Sequence, residues 1–172
     1  TNDNQKKVFF AGSGSNLLVN DKGYNGVVIS LRKTLKKINI TDKYINVESG
    51  VMLGHMVKKA ISSNFIGFES LVGVPGTVGG ALIMNAGAYG SEISNYLISV
   101  LSYTIDGKEK EYKKGDIKFS YRFSSFPKDE IIISASFKCI KGNREVVLKN
   151  KLKASEGRKK SQPLNFRSAG SI

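Results

Sequence analysis

Two glycine-rich segments are the parts of this 172-residue chain best suited to binding a ligand. The longer segment covers residues 73–90 (GVPGTVGGALIMNAGAYG) and the shorter covers residues 11–18 (AGSGSNLL). Glycine lacks a Cβ, so its backbone can approach a ligand closely or adopt a positive φ without a steric cost. Exposed backbone N–H groups in such loops bind anions. Two such loops in one small protein predict a large anionic ligand held mainly by main-chain N–H groups.

The common nucleotide motifs do not account for these segments. The shorter segment starts like a dinucleotide fingerprint, but Leu17 stands where the third glycine belongs and no acidic residue follows about twenty positions on. No Gly-Lys-Ser/Thr follows, which excludes a Walker loop. The Ser13, Ser15 and Asn16 side chains suit a pyrophosphate. If the segments bind no ligand, the alternatives are an ordinary tight turn at 12–16 and a structural crossing between subdomains at 73–90.

Composition narrows the possible partners. The formal net charge is +13, but the lysines are dispersed and no basic segment interleaves with aromatic residues, so we expect a solvated surface rather than a nucleic-acid site. A positive field still favours phosphorylated ligands. No apolar segment approaches the ~20 residues that span a bilayer, and no His, Cys or carboxylate cluster has metal-ligand spacing. Cys139 is the only cysteine, which fits a cytoplasmic protein and, on a strand, a buried small residue.

The pattern of apolar residues predicts a mixed, α+β protein in which these loops connect regular elements. A helix is predicted directly after Gly50, where apolar residues recur at helical spacing, with Ser49 as its N-cap and Gly67 just beyond its end. Ile131, Ile133, Ala135, Phe137 and Cys139 are expected on one face of a late strand. The remaining expectations are strands at 8–10, 26–31 and 45–48, a hairpin at 97–112 turning at Asp106-Gly107, and a basic helix from Glu145 to about Lys160.

Four motifs resemble those of one enzyme family, and they occur in the same order and at the same spacing. They are Gly12–Val19 with Asp21 and Gly23, then Gly73–Gly90, then Phe119–Ser124 (FSYRFS), and finally Gln162–Leu164 with Ser168–Ser171 (SAGS). Together they resemble the UDP-N-acetylenolpyruvoylglucosamine reductases, the MurB flavoenzymes of peptidoglycan precursor synthesis. The motifs extend over nearly the whole chain, and each of them alone would be weak.

The resemblance implies an FAD-binding fold of the p-cresol methylhydroxylase type, in which two α+β subdomains clasp the flavin. On this basis residues 1–33 form a shortened first subdomain, residues 34–160 the second, and residues 161–172 the start of a substrate-binding domain. The implied reaction uses NADPH, through FAD, to reduce UDP-N-acetylglucosamine enolpyruvate to UDP-N-acetylmuramate. The implied partners are therefore NADPH and a UDP-sugar.

The resemblance also assigns site residues. It places substrate contacts at Tyr121, Ser124 and Gln162, and catalytic groups at Arg122 and Ser171. A fixed guanidinium could stabilise charge developing on the enolpyruvyl carboxylate, and a serine hydroxyl can protonate a strongly basic carbanion held beside it. The residues expected to hold FAD are Gly12, Ser13, Gly14, Ser15, Asn16, Pro75, Gly76, Thr77, Val78, Gly79, Gly80, Asn85, Gly87, Ala88 and Tyr89.

The sequence departs from the family pattern at Arg167, which stands where a proline or small residue is expected before the SAGS motif. We further expect that the family's substrate domain and its catalytic glutamate follow beyond Ile172. Two alternatives stay open. One is another FAD-dependent oxidoreductase on the same scaffold, and the other is a non-catalytic nucleotide- or nucleic-acid-binding module.

Overall fold

The computed structural model describes residues 7–163, which form the mixed α+β arrangement that the sequence predicts. Three helices are described: α1 (Leu53–Ser62), α2 (Val78–Ile83) and α3 (Arg144–Ser161). The strands in chain order are β1 (Val8–Ala11), β2 (Val27–Ser30), β3 (Ile38–Ile40), β4 (Tyr44–Glu48), β5 (Gly87–Ala88), β6 (Ser91–Glu92), β7 (Leu97–Thr104), β8 (Glu109–Lys113), β9 (Phe119–Ser120), β10 (Phe123–Ser124) and β11 (Glu130–Lys138).

A five-stranded antiparallel sheet carries the core, in the order β3-β4-β11-β7-β8. The predicted hairpin at 97–112 is confirmed as β7 and β8, and Gly107 takes the positive φ of +85° that its turn needs. Helix α1 buries Leu53, Met56, Val57, Ala60 and Ile61 in the same apolar cluster as the sheet residues. This is the face that the helical spacing predicts.

Both predicted ends of α1 are wrong. The helix begins at Leu53 after Met52, and Ser49 is not its N-cap but lies buried four residues earlier. The helix starts late because the backbone just before it pairs with the longer glycine-rich segment. Leu53 N–H donates to Gly76 O, and Val78 N–H donates to Val51 O.

The C-terminus of α1 is closed by Asn64 rather than by Gly67. Asn64 has φ +57°, and the Phe65 N–H bonds back to Ala60 O at 3.0 Å. These two features form a Schellman-type end, in which asparagine can replace glycine.

Strand β11 contains a bulge that sequence alternation alone could not place. Ala135, Phe137 and Cys139 are buried as predicted, but Ile132 is buried instead of Ile131 and Ile133. The register against β7 shifts between Ile132 and Ser134, and the extra residue reverses the faces of the strand upstream. Burial also raises the pKa of the Cys139 thiol to about 11, so Cys139 is a small core residue and a poor nucleophile.

Strands β1 and β2 form a separate parallel pair, joined by the loop that contains the shorter glycine-rich segment. Their side chains are largely exposed, including Phe9 and Val28. Within residues 7–163, none of the helices has the length and apolar character needed to cross a bilayer.

A carboxylate of the main sheet is held by three groups from two neighbouring strands. Glu130 accepts hydrogen bonds from Ser102 Oγ at 2.6 Å and Tyr112 Oη at 2.9 Å, and it pairs with Lys110 Nζ at 3.0 Å. Burial alone would raise the pKa of Glu130, but these three partners outweigh it and the pKa is lowered.

We expect Glu130→Ala to lower the free energy of unfolding by roughly 3 kcal/mol, because it leaves the buried Ser102 hydroxyl and the Tyr112 hydroxyl without their acceptor. The lowered pKa means that the unfolded chain binds this proton more readily than the folded one. The stabilisation by Glu130 is therefore present above pH ~4.3, the unfolded pKa, and is lost as the pH falls through the lower folded pKa. Urea titrations at pH 7 and at pH 3.5 measure both effects, with the exposed Glu111→Gln as control. An equal free energy of unfolding for wild type and Glu130→Ala at pH 7 contradicts this prediction.

Candidate functional site

The two glycine-rich segments, which are sixty residues apart in the chain, meet in the structure. A Cβ at Gly12 would overlap the Thr77 hydroxyl, and a Cβ at Gly76 would lie 3.2 Å from Ser15 Oγ. Gly76 has φ +119°, a conformation that side chains rarely adopt. Ser30 Oγ donates to Gly12 O at 3.1 Å and fixes the shorter segment to the end of β2. The glycines are therefore required by close approach, as the sequence predicts.

The meeting point presents backbone donors that have no acceptor within residues 7–163. These are the N–H groups of Ser13, Gly14, Ser15 and Asn16 from one loop and of Gly76 and Thr77 from the other. The next N–H groups of the second loop are used within the protein: Val78 donates to Val51 O and Gly79 to Ser49 O, each at 2.9 Å. Several unpaired donors gathered where two glycine-containing loops meet fit a pyrophosphate, which offers many acceptor oxygens.

The residues after Thr77 serve mainly to hold the second loop in place. Thr77 is 2% exposed and is the N-cap of α2, accepting a hydrogen bond from Gly80 N–H. Val78 is completely buried, whereas Pro75 and Gly80 are exposed and Gly79 packs against Ser49. A side chain at Gly79 would collide with Ser49 Cβ at 2.9 Å, so its glycine is required by packing between segments.

A second group of predicted residues lies at the other end of α2, which is about 9 Å long at 1.5 Å per residue. Here the short hairpin of β9 and β10 places Tyr121 and Arg122 at its tip. Arg122 has φ +55°, is exposed, donates from Nη1 to Gly87 O at 3.0 Å and lies 5.0 Å from the centre of the Tyr121 ring. Ser124 Oγ donates to Ile83 O at 2.7 Å and so ties the hairpin to the end of α2.

Asn85 is in the turn that follows α2, but it faces the protein. It is completely buried, and its Nδ2 donates to Glu92 Oε2 at 2.7 Å and to Ser120 O at 3.0 Å. Gly87 and Ala88 form β5 close by and are half-buried. Tyr89 has φ +51° and is half exposed, so it is free to contact a ligand.

Helix α3 closes one side of this region. A Cβ at Gly157 would lie 3.0 Å from the Tyr89 ring, and a Cβ at Gly73 would lie 2.7 Å from Arg158 Cδ. Arg158 Nε donates to Val72 O, and its Nη1 donates to Gln162 Oε1, both at 3.1 Å. The structure thus brings Gln162 to the end of the helix beside the longer glycine-rich segment. Ser171 lies outside the described residues.

Two functional neighbours were missed at the sequence level, namely Glu92 and Arg158. Glu92 is the second residue of the two-residue strand β6, which has no local pattern, and Arg158 lies among lysines of a basic helix, so neither carries a distinguishing signal. No group of three or more possible metal ligands occurs among residues 7–163.

Comparison with known proteins first shows which class of protein this chain belongs to. Residues 1–112 match the model of the FAD binding domain family (FAD_binding_4), and the chain belongs to this family. A quinoline 2-oxidoreductase from Pseudomonas putida 86 has the same fold, with a TM-score of 0.58 at 14% identity over 77% of this chain and 52% of that chain. FAD is accordingly the ligand that the donors and glycine contacts described above fit.

Two individual proteins of this class are similar to nearly the whole chain. The UDP-N-acetylenolpyruvoylglucosamine reductase of Rickettsia prowazekii (strain Madrid E) is 38% identical over 160 residues, covering 93% of this chain and 54% of that protein. The crystal structure of the corresponding enzyme (MurB) from Thermus caldophilus has a TM-score of 0.81 at 30% identity over 97% of this chain and 60% of that chain. These similarities confirm the resemblance that the four motifs predict. The chain spans about half the length of the curated relatives it matches.

Proposed function

We propose that this chain is the flavin-binding part of an NADPH-dependent UDP-N-acetylenolpyruvoylglucosamine reductase of the peptidoglycan pathway. The substrate is UDP-N-acetylglucosamine enolpyruvate and the product is UDP-N-acetylmuramate. The observation that carries the proposal is the meeting of the two glycine-rich segments, where Gly12 packs on Thr77 beside the N–H groups of 13–16 and of Gly76 and Thr77, which have no acceptor between residues 7 and 163. Identity to the reductase of Rickettsia prowazekii at 38% supports the reaction.

The cofactor would be held by the two loops. The N–H groups of 13–16 and of Gly76 and Thr77 would bind the pyrophosphate, while Pro75, Val78, Gly79 and Gly80 keep the second loop in shape. Gly87, Ala88 and Tyr89, at the far end of α2, would lie beside the redox-active part. When bound, FAD supplies the hydride chemistry. In this scheme residues 1–33 and 34–160 are the two clasping subdomains, and 161–172 begin the substrate-binding part.

The substrate would meet the tip of the β9–β10 hairpin. Arg122 is exposed there and held by Gly87 O, so its guanidinium can face the enolpyruvyl carboxylate and stabilise the negative charge that develops there. Tyr121, Ser124 and Gln162 would line the same pocket, and Ser171 would deliver the proton to C2. Because a nucleotide-activated sugar and NADPH are intracellular reactants, we place the reaction in the cytoplasm.

The natural full-length protein should be yellow, with flavin absorbance near ~450 nm, and should oxidise NADPH only when the UDP-enolpyruvyl sugar is present. Spectroscopy after addition of FAD and a coupled assay at 340 nm measure the two properties separately. Bound flavin without this NADPH oxidation, together with oxygen-dependent turnover of another substrate, would assign the chain to a different flavin oxidoreductase. A colourless protein that binds RNA tightly would contradict the proposal altogether.

A further inference from the structure

Asn85 is enclosed by protein at a point where it can organise the site. It has no exposed surface, and both hydrogens of its amide are used, one by the Glu92 carboxylate and one by the Ser120 carbonyl. Both partners can only accept, so the amide nitrogen must face them. Asn85 therefore joins two segments that are 35 residues apart, the turn after α2 and the strand β9.

Glu92 can reach Asn85 because its partner across the β5–β6 pair is a glycine. Gly87 is opposite Glu92, and a Cβ at Gly87 would lie 2.9 Å from Glu92 Cγ. The carbonyl of the same Gly87 accepts the hydrogen bond from Arg122. One small region thus holds the Glu92 side chain, the Asn85 amide and the Arg122 guanidinium.

The hairpin that carries Arg122 has little stability of its own. Each of its strands has two residues, and hairpins of this size are marginal in water. Three hydrogen bonds tie it to the segment after α2: Ser120 O to Asn85, Arg122 to Gly87 O, and Ser124 to Ile83 O. Among these three bonds, only the one donated by Asn85 comes from a buried side chain. The Glu92 carboxylate fixes the orientation of that side chain.

We propose that Asn85 and Glu92 form a positioning pair for Arg122. The Glu92 carboxylate orients the Asn85 amide, Asn85 holds the Ser120 carbonyl, and this bond fixes the hairpin so that Arg122 points at the substrate. The link to catalysis rests on the proposed function, because that function assigns Arg122 to the enolpyruvyl carboxylate. Asn85 then supports the site through the protein, without a direct contact to FAD.

The kinetic test compares two changes at Glu92 in the natural full-length protein. Glu92→Ala removes the acceptor for the Asn85 amide, and we expect kcat to fall by about 10- to 100-fold, as is usual for residues that orient a functional group. KM for the UDP-sugar and Kd for FAD should stay within about threefold. Glu92→Gln keeps an amide oxygen that accepts the same bond, so kcat should return to within about threefold of wild type. Equal kcat for all three proteins would overturn the proposal.

The structural test does not depend on turnover. Asn85→Asp preserves size and tolerates the positive φ of +41°, but it sets a carboxylate against Glu92 and cannot donate to Ser120. We expect hydrogen exchange over 119–124 to speed up by at least about tenfold, with β7 and β11 unchanged. Asn95→Asp is the matched control, because Asn95 is exposed and its amide group, among residues 7–163, bonds only to the Ser91 hydroxyl, which can itself donate.

The two tests separate this proposal from the proposed function. If the wild-type protein lacks reductase activity, the proposed function fails, and exchange over 119–124 alone decides whether Asn85 and Glu92 hold the hairpin. If Asn85→Asp does not fold, exchange in the half-buried Glu92→Ala variant gives the same information. Unchanged exchange in the folded variants overturns the positioning role, even where kcat falls.

Discussion

Replacing Gly12 by valine should weaken FAD binding by at least about 100-fold in the natural full-length protein, because a small side chain at this point blocks the approach of the two loops. A Cβ at residue 12 would overlap the Thr77 hydroxyl, and the β-branched valine adds two methyl groups in the same place. The loop must then move away from Gly76 and Thr77, and the free N–H groups no longer converge. Fluorescence titration of FAD measures the loss.

The control for this change is Gly54→Val. Gly54 is an exposed residue of α1, and no heavy atom lies within 4 Å of the Cβ that a substitution would add. Valine there should leave FAD affinity unchanged and alter the melting temperature little. The graded variant Gly12→Ala should fall between wild type and Gly12→Val. An FAD affinity within threefold of wild type for Gly12→Val, at unchanged folding, would show that the loops do not form the pyrophosphate site.

Arg122→Ala should lower kcat by roughly 10³-fold while FAD affinity and the flavin spectrum stay as in wild type. The side chain is exposed and, within the described part of the chain, makes one hydrogen bond, to Gly87 O, so its removal costs the fold little. The loss comes from the charge that develops on the substrate, which then has no guanidinium to stabilise it. Steady-state kinetics at saturating NADPH measure kcat, and FAD titration provides the separate binding readout.

Arg122→Lys sharpens this result. Lysine keeps the positive charge but cannot offer two parallel N–H donors to a carboxylate, so we expect a smaller decrease, about 10- to 100-fold. The matched control is Arg144→Ala, which removes an exposed arginine from the first turn of α3. If Arg122→Ala turned over like Arg144→Ala, the catalytic assignment of Arg122 would be wrong.

Local patterns predicted much of the regular structure. Helix α1, the β7–β8 hairpin and helix α3 follow from apolar spacing, from the Asp106-Gly107 turn and from the basic run after Glu145, and all three are confirmed. Such features depend on neighbours within a few residues, which the sequence shows directly. The glycines at 12 and 76 also marked the two loops that meet, because a close approach excludes every larger residue.

Other features depend on contacts between distant segments and could not be predicted. The bulge at Ile133 arises from the pairing of β11 with β7, and it moved Ile132 into the core in place of its neighbours. Asn85 was expected close to the cofactor, and the structure buries it against Glu92 and Ser120, contacts that exist only when the hairpin packs on α2.

The sequence by itself therefore determined the type of ligand, the family resemblance and the main elements, since these depend on residue type and local spacing. The tertiary structure decided which groups meet: Gly12 with Thr77, Gly87 with Glu92, and Arg122 with the Gly87 carbonyl. The physical reason is that a hydrogen bond or a steric contact acts over about 3 Å. Only the packing of helices, loops and strands brings residues that are tens of positions apart to that distance.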